Sequence, residues 1–245
     1  MSGMKRYFVE LAYDGSSYHG WQVQPNGITV QEVLERSFST LLKEETSITG
    51  CGRTDTGVHA EFFIAHFDSA RTFSPDDIVF KLNGFLPPDI RIYKLYEVGS
   101  DMHARFSAKF RKYSYRISRV KPLFNRPYCS SYYGALDPEI MNKACEILME
   151  YTDYTSFSKL HTDVKTNDCE IMEAGWREEG DMLIFEIKAD RFLRNMVRSI
   201  VGTMLDLGNG KIDLAEFRAI IEAKDRRMAG MSVDAKGLFL VEVGY

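Results

Sequence analysis

The chain has 245 residues, of which 44% are hydrophobic and 27% are charged, and its formal net charge at pH 7 is −4. This length suits two domains of ordinary size or one large domain, and the composition is typical of a soluble globular protein. The acidic balance argues against binding of nucleic acid through bulk charge, so such a partner would require a local basic patch.

The first half of the chain is predicted to fold in the order strand, helix, two strands, helix, strand. Apolar residues alternate in the strands and recur at helical spacing in the helices. Thr29 and Glu32 form a predicted capping box, and Ser74 precedes a proline at the first helical position. The elements are a strand at 7–12, a long loop at 14–27, a helix after Thr29, a strand near Ile48, a strand at about 61–67, a helix from Pro75 to near Gly84 and a strand at 90–98.

The second half is predicted to repeat this order. Its elements are a strand at 110–117, a helix opened by Asp137, a hairpin of 170–176 and 182–189, a helix from Phe192 to Gly208, an additional helix at 214–223 and a strand at 238–243. Two βαββαβ halves, 1–104 and 105–245, predict an α+β fold of tandem ferredoxin-like (RRM-like) units. We expect their sheets to join side by side into a continuous, mainly antiparallel sheet with the helices mostly on one face.

Several classes of site and location are not expected. No apolar run approaches the roughly 20 residues that span a bilayer, and the segment after Lys5 and Arg6 lacks the apolar stretch of a signal peptide. Scattered cysteines predict reduced thiols and a cytoplasmic protein. We find no phosphate-binding loop and no dinucleotide fingerprint, and the histidines do not cluster as zinc ligands, so neither a cofactor nor a metal is expected. The residues are Cys51, Cys129, Cys145, Cys169, His19, His59, His66, His103 and His161.

The segment 50–60 places one carboxylate, Asp55, among glycines, threonines and an arginine. Glycines permit a tight turn and the close approach of another backbone, so this carboxylate can face a ligand. Arg53, two residues away, would favour its ionised form, and His59 is expected to help order the turn. Such a loop is more often a structural Asx turn than an active site. An active carboxylate here would serve as a nucleophile or as a general acid or base.

A stretch of 35 residues, 102–136, contains no Asp or Glu. Eight basic and eight aromatic side chains alternate within it, among them Arg105 and Tyr113. Basic side chains neutralise phosphates and aromatic faces stack on unpaired bases, which favours binding of single-stranded or loop RNA over a solvated basic face.

A further pattern lies in the predicted helix from Phe192. Arg191, Arg194 and Arg198 fall at i, i+3 and i+7 and are predicted to line one stripe beside the apolar face. Arginines on such a face most often serve solubility. Arg198 is the best exception because Val197 and Val201 flank it, and it could pair with a carboxylate bidentately.

Five segments, in order from the N-terminus to the C-terminus, resemble the signatures of the TruA-type tRNA pseudouridine synthases. The match to the catalytic signature departs at Thr56, where the family more often has alanine. The segments are Tyr13-Asp14-Gly15 with Gly20-Trp21-Gln22, the turn 52–60, Lys112-Tyr113-Ser114-Tyr115-Arg116, the run 192–198 and Gly237-Leu238-Phe239-Leu240.

The resemblance implies two RRM-like halves with a central active cleft, acting as a homodimer. It also implies a cofactor-free isomerisation of uridine to pseudouridine in the anticodon stem-loop of tRNA, at positions 38–40. The N-glycosidic bond breaks, the uracil rotates and C5 rejoins C1′. Two alternatives stay open: a synthase that acts on ribosomal or another structured RNA, and a duplicated RNA-binding module without catalysis.

The resemblance also implies residue roles. Asp55 is the catalytic residue, either by covalent attack or by taking a proton, and Arg198 is its partner. Tyr113 stacks on the target base and its hydroxyl handles a proton, Leu238 forms part of an apolar floor that excludes water, and Arg53 enters the space left by the extracted nucleotide.

Overall fold

A computed structural model describes residues 3–159 and 166–245 and divides the chain into two compact units. The first unit is Met1–Lys109 with Leu240–Tyr245, and the second is Phe110–Phe239. Residues 105–109 and 240–245, which the sequence assigns to the second half, therefore group with the first unit. In the described part of the chain, no helix is long and apolar enough to cross a membrane. His161 lies outside the described residues.

The first unit has the predicted order of elements. Strand β1 lies between β3 and β4 and is antiparallel to both, and the short β2 pairs with the other edge of β3. This arrangement confirms the βαββαβ organisation expected for this half. The elements are β1 Lys5–Tyr13, α1 Val30–Leu42, β2 Thr49–Gly50, β3 His59–Ser69, α2 Pro75–Phe85 and β4 Ile90–Val98.

Local sequence determines where both helices of this unit begin. The Thr29 hydroxyl accepts a hydrogen bond from the Glu32 backbone N–H at 3.3 Å, which is the threonine half of the predicted capping box. Ser74 caps α2 in the same way through Asp77 N–H at 3.4 Å. The apolar stripe of α1 is buried against the sheet, where the ring of Phe38 lies 4.9 Å from that of Phe67 on β3.

The described residues of the second unit, 110–159 and 166–239, form three helices and four complete strands. Strands β5 and β7 each pair antiparallel with β8, and the short β6 pairs parallel with β5. Strand β9 begins in this unit and ends in the first. The α+β class predicted from the sequence is confirmed. The elements are β5 Phe110–Ser118, β6 Ser130–Ser131, α3 Pro138–Leu148, β7 Ile171–Glu179, β8 Met182–Ala189, α4 Met196–Gly208, α5 Leu214–Glu222 and β9 Leu238–Gly244.

One predicted helix boundary was wrong. Helix α4 begins at Met196 rather than Phe192, because Asn195 adopts a left-handed conformation with φ of 67° that a right-handed helix cannot continue through. Arg191 and Arg194 therefore precede the helix, and the predicted three-arginine stripe does not form. Arg198 alone of the three lies on α4.

In each unit, an asparagine on a helix bonds to both the backbone N–H and the carbonyl of one residue on an edge strand. Asn83 of α2 donates to Ile92 O and accepts from Ile92 N–H, both at 2.8 Å, on β4. Asn142 of α3 makes the same two bonds to Trp176 on β7, at 3.1 and 2.8 Å. Each carboxamide occupies a ladder position that another strand would otherwise take, which protects an exposed strand edge.

Acid should weaken the first unit through His66. This histidine of β3 is buried, and its Nδ1 accepts a hydrogen bond from Ala104 N–H at 3.1 Å. Burial, with help from Arg6 and His103 and against Asp68, lowers the pKa of His66 to about 4. Between pH 6.5 and 4 the unfolded chain thus binds more protons at this site, so the free energy of unfolding should fall as pH falls through that window.

Urea denaturation at a series of pH values measures this effect. A His66→Asn variant keeps an acceptor near the Nδ1 position but does not titrate, so its unfolding free energy should decline less steeply between pH 6.5 and 4. Equal pH slopes for the two proteins would contradict the assignment.

Candidate active site

Asp55 lies in the loop that joins β2 to β3. Its carbonyl accepts the Val58 N–H at 3.1 Å, which closes a turn, and Gly57 completes the turn with φ of 77°. The side chain of Asp55 is half-buried, whereas Thr54 before it and Val58 after it are buried. The carboxylate is therefore carried on a short turn anchored on both sides.

Thr54, the residue directly before Asp55, is hydrogen-bonded to the end of β1 and to the loop that follows it. Trp21 N–H donates to Thr54 O at 3.2 Å, and the Thr54 and Tyr13 hydroxyls share a buried hydrogen bond of 2.8 Å. Gly57 N–H donates to Tyr18 O at 3.4 Å. Both the backbone and the side chain of Thr54 are thus fixed, which limits the positions open to the Asp55 carboxylate.

Two glycines allow this contact between the loops. A Cβ on Gly15 would lie 2.0 Å from Val58 O, and one on Gly20 would lie 2.3 Å from Thr54 O. Gly20 also has φ of 85°, a conformation that other residues adopt only with strain. Within 50–60, Gly52 has open space around its Cβ position, whereas a Cβ on Gly50 would lie 2.6 Å from the Trp21 ring. The two glycines that permit the contact between the loop backbones belong to the neighbouring loop.

His59 orders this region, as its position beside the turn suggested. The imidazole is only 2% exposed, and its Nδ1 lies 3.1 Å from Gly15 N and 3.0 Å from a carboxylate oxygen of Asp14. Nδ1 accepts from the first or, when protonated, donates to the second. In either state His59 links the start of β3 to the Gly15 loop.

Arg53 is exposed and lies at a small cavity of about 120 Å³. Arg105 is a second basic residue that lines the same cavity, and Trp21 and Gln31 form part of its wall. Its nine lining residues include no Asp or Glu. The cavity is therefore cationic, although the whole chain carries net negative charge.

Arg198 is fixed at two points in the second unit. Its Nε donates to Val233 O at 2.7 Å, and its own carbonyl accepts Val233 N–H at 3.2 Å. One turn further along α4, a Cβ on Gly202 would lie 1.7 Å from Met231 O, so the helix and the segment 231–233 touch through their backbones. These contacts orient the guanidinium before any ligand arrives.

Tyr113 and Leu238 lie on neighbouring strands of the same unit. Tyr113 of β5 is half-buried and meets the Phe192 ring edge-on, with centroids 5.0 Å apart at 87°. Leu238 is buried at the start of β9, and a Cβ on Gly237 before it would lie 2.9 Å from Arg116 O on β5. The start of β9 is thus pressed against the strand that carries Tyr113.

Basic side chains of the acid-free stretch 102–136 contact residues that lie elsewhere in the sequence, including two glutamates. Lys112 pairs with Glu186 at 3.0 Å, Arg119 pairs with Glu178, and the guanidinium of Arg111 donates to Asp190 O at 2.9 Å. These acceptors come from β7, β8 and the residue after β8. Several of the eight cations therefore have structural partners, and Tyr115 is fully buried in the core.

The five residues predicted from the sequence divide between the units. Arg53 and Asp55 belong to the first, and Tyr113, Arg198 and Leu238 belong to the second. Sequence reasoning did not identify Tyr13 as the partner of Thr54. The available signal was the aromatic and glycine-rich character of 13–21.

The chain is similar to one protein family over most of its length. A family model described as tRNA pseudouridine synthase matches residues 11–107 and 144–245, so the gap contains Tyr113. A tRNA pseudouridine synthase A from Parabacteroides distasonis is 52% identical, with 99% of this chain and 96% of the relative covered. Proteins of the same name from Porphyromonas gingivalis and Clostridium acetobutylicum are 46% and 39% identical, each over 99% of this chain and over 98% and 100% of their own lengths.

Substituting Gly20 should loosen the Asp55 loop. Gly20→Ala combines backbone strain of roughly 1–2 kcal/mol with a Cβ that meets the Thr54 carbonyl, so we expect lower stability and faster amide exchange at 54–58. Urea denaturation and hydrogen exchange measure the two effects.

Gly84→Ala is the matched control. Gly84 lies in α2 with open space at its Cβ position, and alanine there should be neutral or stabilise the fold by up to about 1 kcal/mol. Unchanged exchange at 54–58 in Gly20→Ala would show that the close contact does not hold the loop.

Proposed function

Because the chain belongs to the tRNA pseudouridine synthase family, we propose that it isomerises uridine to pseudouridine in tRNA. The family match spans most of both units, and the named relatives are covered over nearly their whole lengths. The observation that carries the proposal is the Asp55 loop, whose backbone is fixed by the loop after β1. A rigidly held, half-buried carboxylate suits chemistry at a sugar carbon.

The proposed reaction needs no atom from outside the substrate. The N-glycosidic bond of the uridine breaks, the uracil turns, C5 bonds to C1′, the proton on C5 is lost to a base and N1 gains a proton, so the product is an isomer of the substrate. In our proposal, Asp55 is the catalytic nucleophile: its carboxylate bonds to C1′ as the uracil leaves, and it is displaced when C5 bonds to C1′. Taking a proton from the sugar instead would give a glycal intermediate, and the same carboxylate position serves either route.

Arg198 is the proposed counter-ion of this carboxylate. A guanidinium favours the ionised form of a nearby carboxyl and can hold it by two parallel hydrogen bonds. The Nε bond to Val233 O uses one of the five N–H donors of Arg198 and sets the plane of the remaining ones. The contacts of α4 through Gly202 support this role, since they keep that plane constant.

Three residues are proposed to bind the substrate. The Tyr113 ring is braced edge-on by Phe192, which suits it to stack on the target base. Leu238 would form an apolar wall that keeps water from competing for the sugar. Arg53 is exposed and two residues from Asp55, so it is placed to occupy the space that a flipped uridine leaves.

Finer assignments rest on the resemblance of the motifs. We propose that the target is the anticodon stem-loop at positions 38–40, that the protein acts in the cytoplasm without a cofactor, and that it works as a homodimer. A synthase for ribosomal RNA would share the catalytic motif. A duplicated RNA-binding module without catalysis is less well supported, because it has no use for a carboxylate presented to an anionic ligand.

Asp55→Asn should abolish pseudouridine formation on an unmodified tRNA transcript while tRNA affinity stays within about threefold. The amide keeps the size of the side chain but can neither attack nor accept a proton. Tritium release from C5-labelled uridine measures the reaction, and filter binding measures affinity.

Asp181→Asn is the control, since this aspartate lies in the exposed turn of the β7–β8 hairpin and should not affect turnover. Turnover by Asp55→Asn near the wild-type rate would remove the nucleophile assignment and favour the non-catalytic module.

Tyr113→Phe should retain most of the affinity for tRNA but lose any step in which the hydroxyl transfers a proton, typically a factor of about 10²–10⁴ in rate. Single-turnover kinetics with excess enzyme separate that step from binding. A rate equal to that of the wild type would restrict Tyr113 to stacking.

A further inference from the structure

The cationic cavity beside the Asp55 loop has a second arginine with no assigned role. Arg53 and Arg105 both line it, and the cavity of about 120 Å³ is large enough for one phosphate group. Each guanidinium presents planar paired donors that match phosphate oxygens. No carboxylate lies among the lining residues, and the nearby Glu35 carboxylate accepts hydrogen bonds from Gln31 and from Ile48 N–H at 3.0 and 2.9 Å. The charged residues of the lining are therefore the two arginines.

Three uncharged polar residues, Gln22, Gln31 and Thr49, also line the cavity, and Gln31 already bonds to the protein. The Gln31 carboxamide accepts from Val23 N–H at 3.0 Å and donates to Ile48 O and Glu35 at 2.9 and 3.0 Å. Gln31 therefore shapes the cavity without offering a donor to a ligand. The two arginines supply its cationic donors.

A preformed turn presents Arg105. His103 Nδ1 accepts hydrogen bonds from the backbone N–H groups of Arg105 and Phe106, at 3.1 and 3.2 Å. Ala104 is fully buried, and its N–H and carbonyl are bonded to His66 Nδ1 and to the Tyr245 hydroxyl. The backbone of Arg105 is thus held on both sides, and its guanidinium lies over the Phe106 ring, 5.5 Å from the ring centre.

The acceptor role of His103 requires a neutral ring. Burial, together with the charges of Arg6 and Arg105 that face it, lowers the pKa of His103. His66 packs against it with ring centroids 4.7 Å apart and also has a lowered pKa. The turn is therefore formed throughout the neutral range.

Trp21 connects this cavity to the catalytic loop. Its side chain lines the cavity, and its backbone N–H holds Thr54 O next to Asp55. Arg53 itself is two residues from Asp55. An anion bound in the cavity therefore lies beside the loop that carries the reacting carboxylate.

We propose that Arg53 and Arg105 together bind one backbone phosphate of the RNA next to the reacting uridine, and that His103 is the positioning residue that presents Arg105. Arg53 would contact the phosphate through its edge donors, which leaves its planar face for the space vacated by the uridine. This inference rests on the proposed function and adds a defined phosphate contact to it. Such a contact fixes the register of the RNA without reading its sequence.

Phosphate substitution tests the pairing. Single methylphosphonates, which remove one charge each, are placed in turn at the linkages around the target uridine of an unmodified anticodon stem-loop RNA. For the wild type, one linkage should weaken binding on the order of tenfold. Arg105→Gln should bind the unsubstituted RNA about tenfold more weakly, be insensitive at that one linkage, and show a salt slope smaller by about 1.

Further variants separate the effect of the Arg105 position from the effect of losing one positive charge anywhere on the surface. Arg91→Gln removes an exposed arginine that lies over Tyr93 on β4, and it should respond to the substituted linkages as the wild type does. His103→Asn keeps an acceptor for the two N–H groups and should retain the wild-type salt slope, whereas His103→Leu should reproduce the loss seen in Arg105→Gln.

The outcomes distinguish the two levels of proposal. A wild-type protein that binds the RNA but forms no pseudouridine contradicts the proposed function. Active wild type with Arg105→Gln unchanged at every linkage overturns the phosphate site. Equal effects of Arg91→Gln and Arg105→Gln would also overturn it, since they would indicate a diffuse charge effect.

Discussion

The close backbone contact between the loop after β1 and the Asp55 loop is the constraint on which the candidate site depends. It requires two residues without side chains, Gly15 and Gly20, since a Cβ at either would lie within 2.3 Å of a carbonyl oxygen. Glycine is costly to order, yet here it permits hydrogen bonds that fix Thr54 from two directions. This backbone packing fixes the turn that carries the Asp55 carboxylate.

The second unit uses the same physical solution. Helix α4 touches the backbone of 231–233 because Gly202 has no Cβ, and Arg198 is then joined to Val233 through both its side chain and its backbone. In both units a charged residue is held by a segment distant in the chain. Charged groups that are already held in place need not reorient during the reaction, and electrostatic stabilisation of a transition state is largest under that condition.

Local patterns were sufficient to predict most elements. The caps at Thr29 and Ser74 and the hairpin of 170–176 and 182–189 follow from neighbouring residues, and all three are found. The start of α4 was missed because Leu193 is buried although it lies outside the helix, so apolar spacing continued past the true boundary. The partners of Lys112 and Arg119 were unpredictable locally, since their acids come from strands more than 50 residues away.

Ion pairs formed by the acid-free stretch 102–136 limit the positive charge that a net-acidic protein can offer to RNA. Cross-strand acids neutralise part of that stretch, so its sequence overstates the charge available to a ligand. Screening at physiological salt also limits exposed charges to a range of about 8 Å. In the proposed function, attraction for RNA then depends on arginines whose positions are fixed, as Arg105 is by the His103 turn. On that proposal the placement of a few guanidinium groups, rather than net charge, determines which RNA geometry is bound.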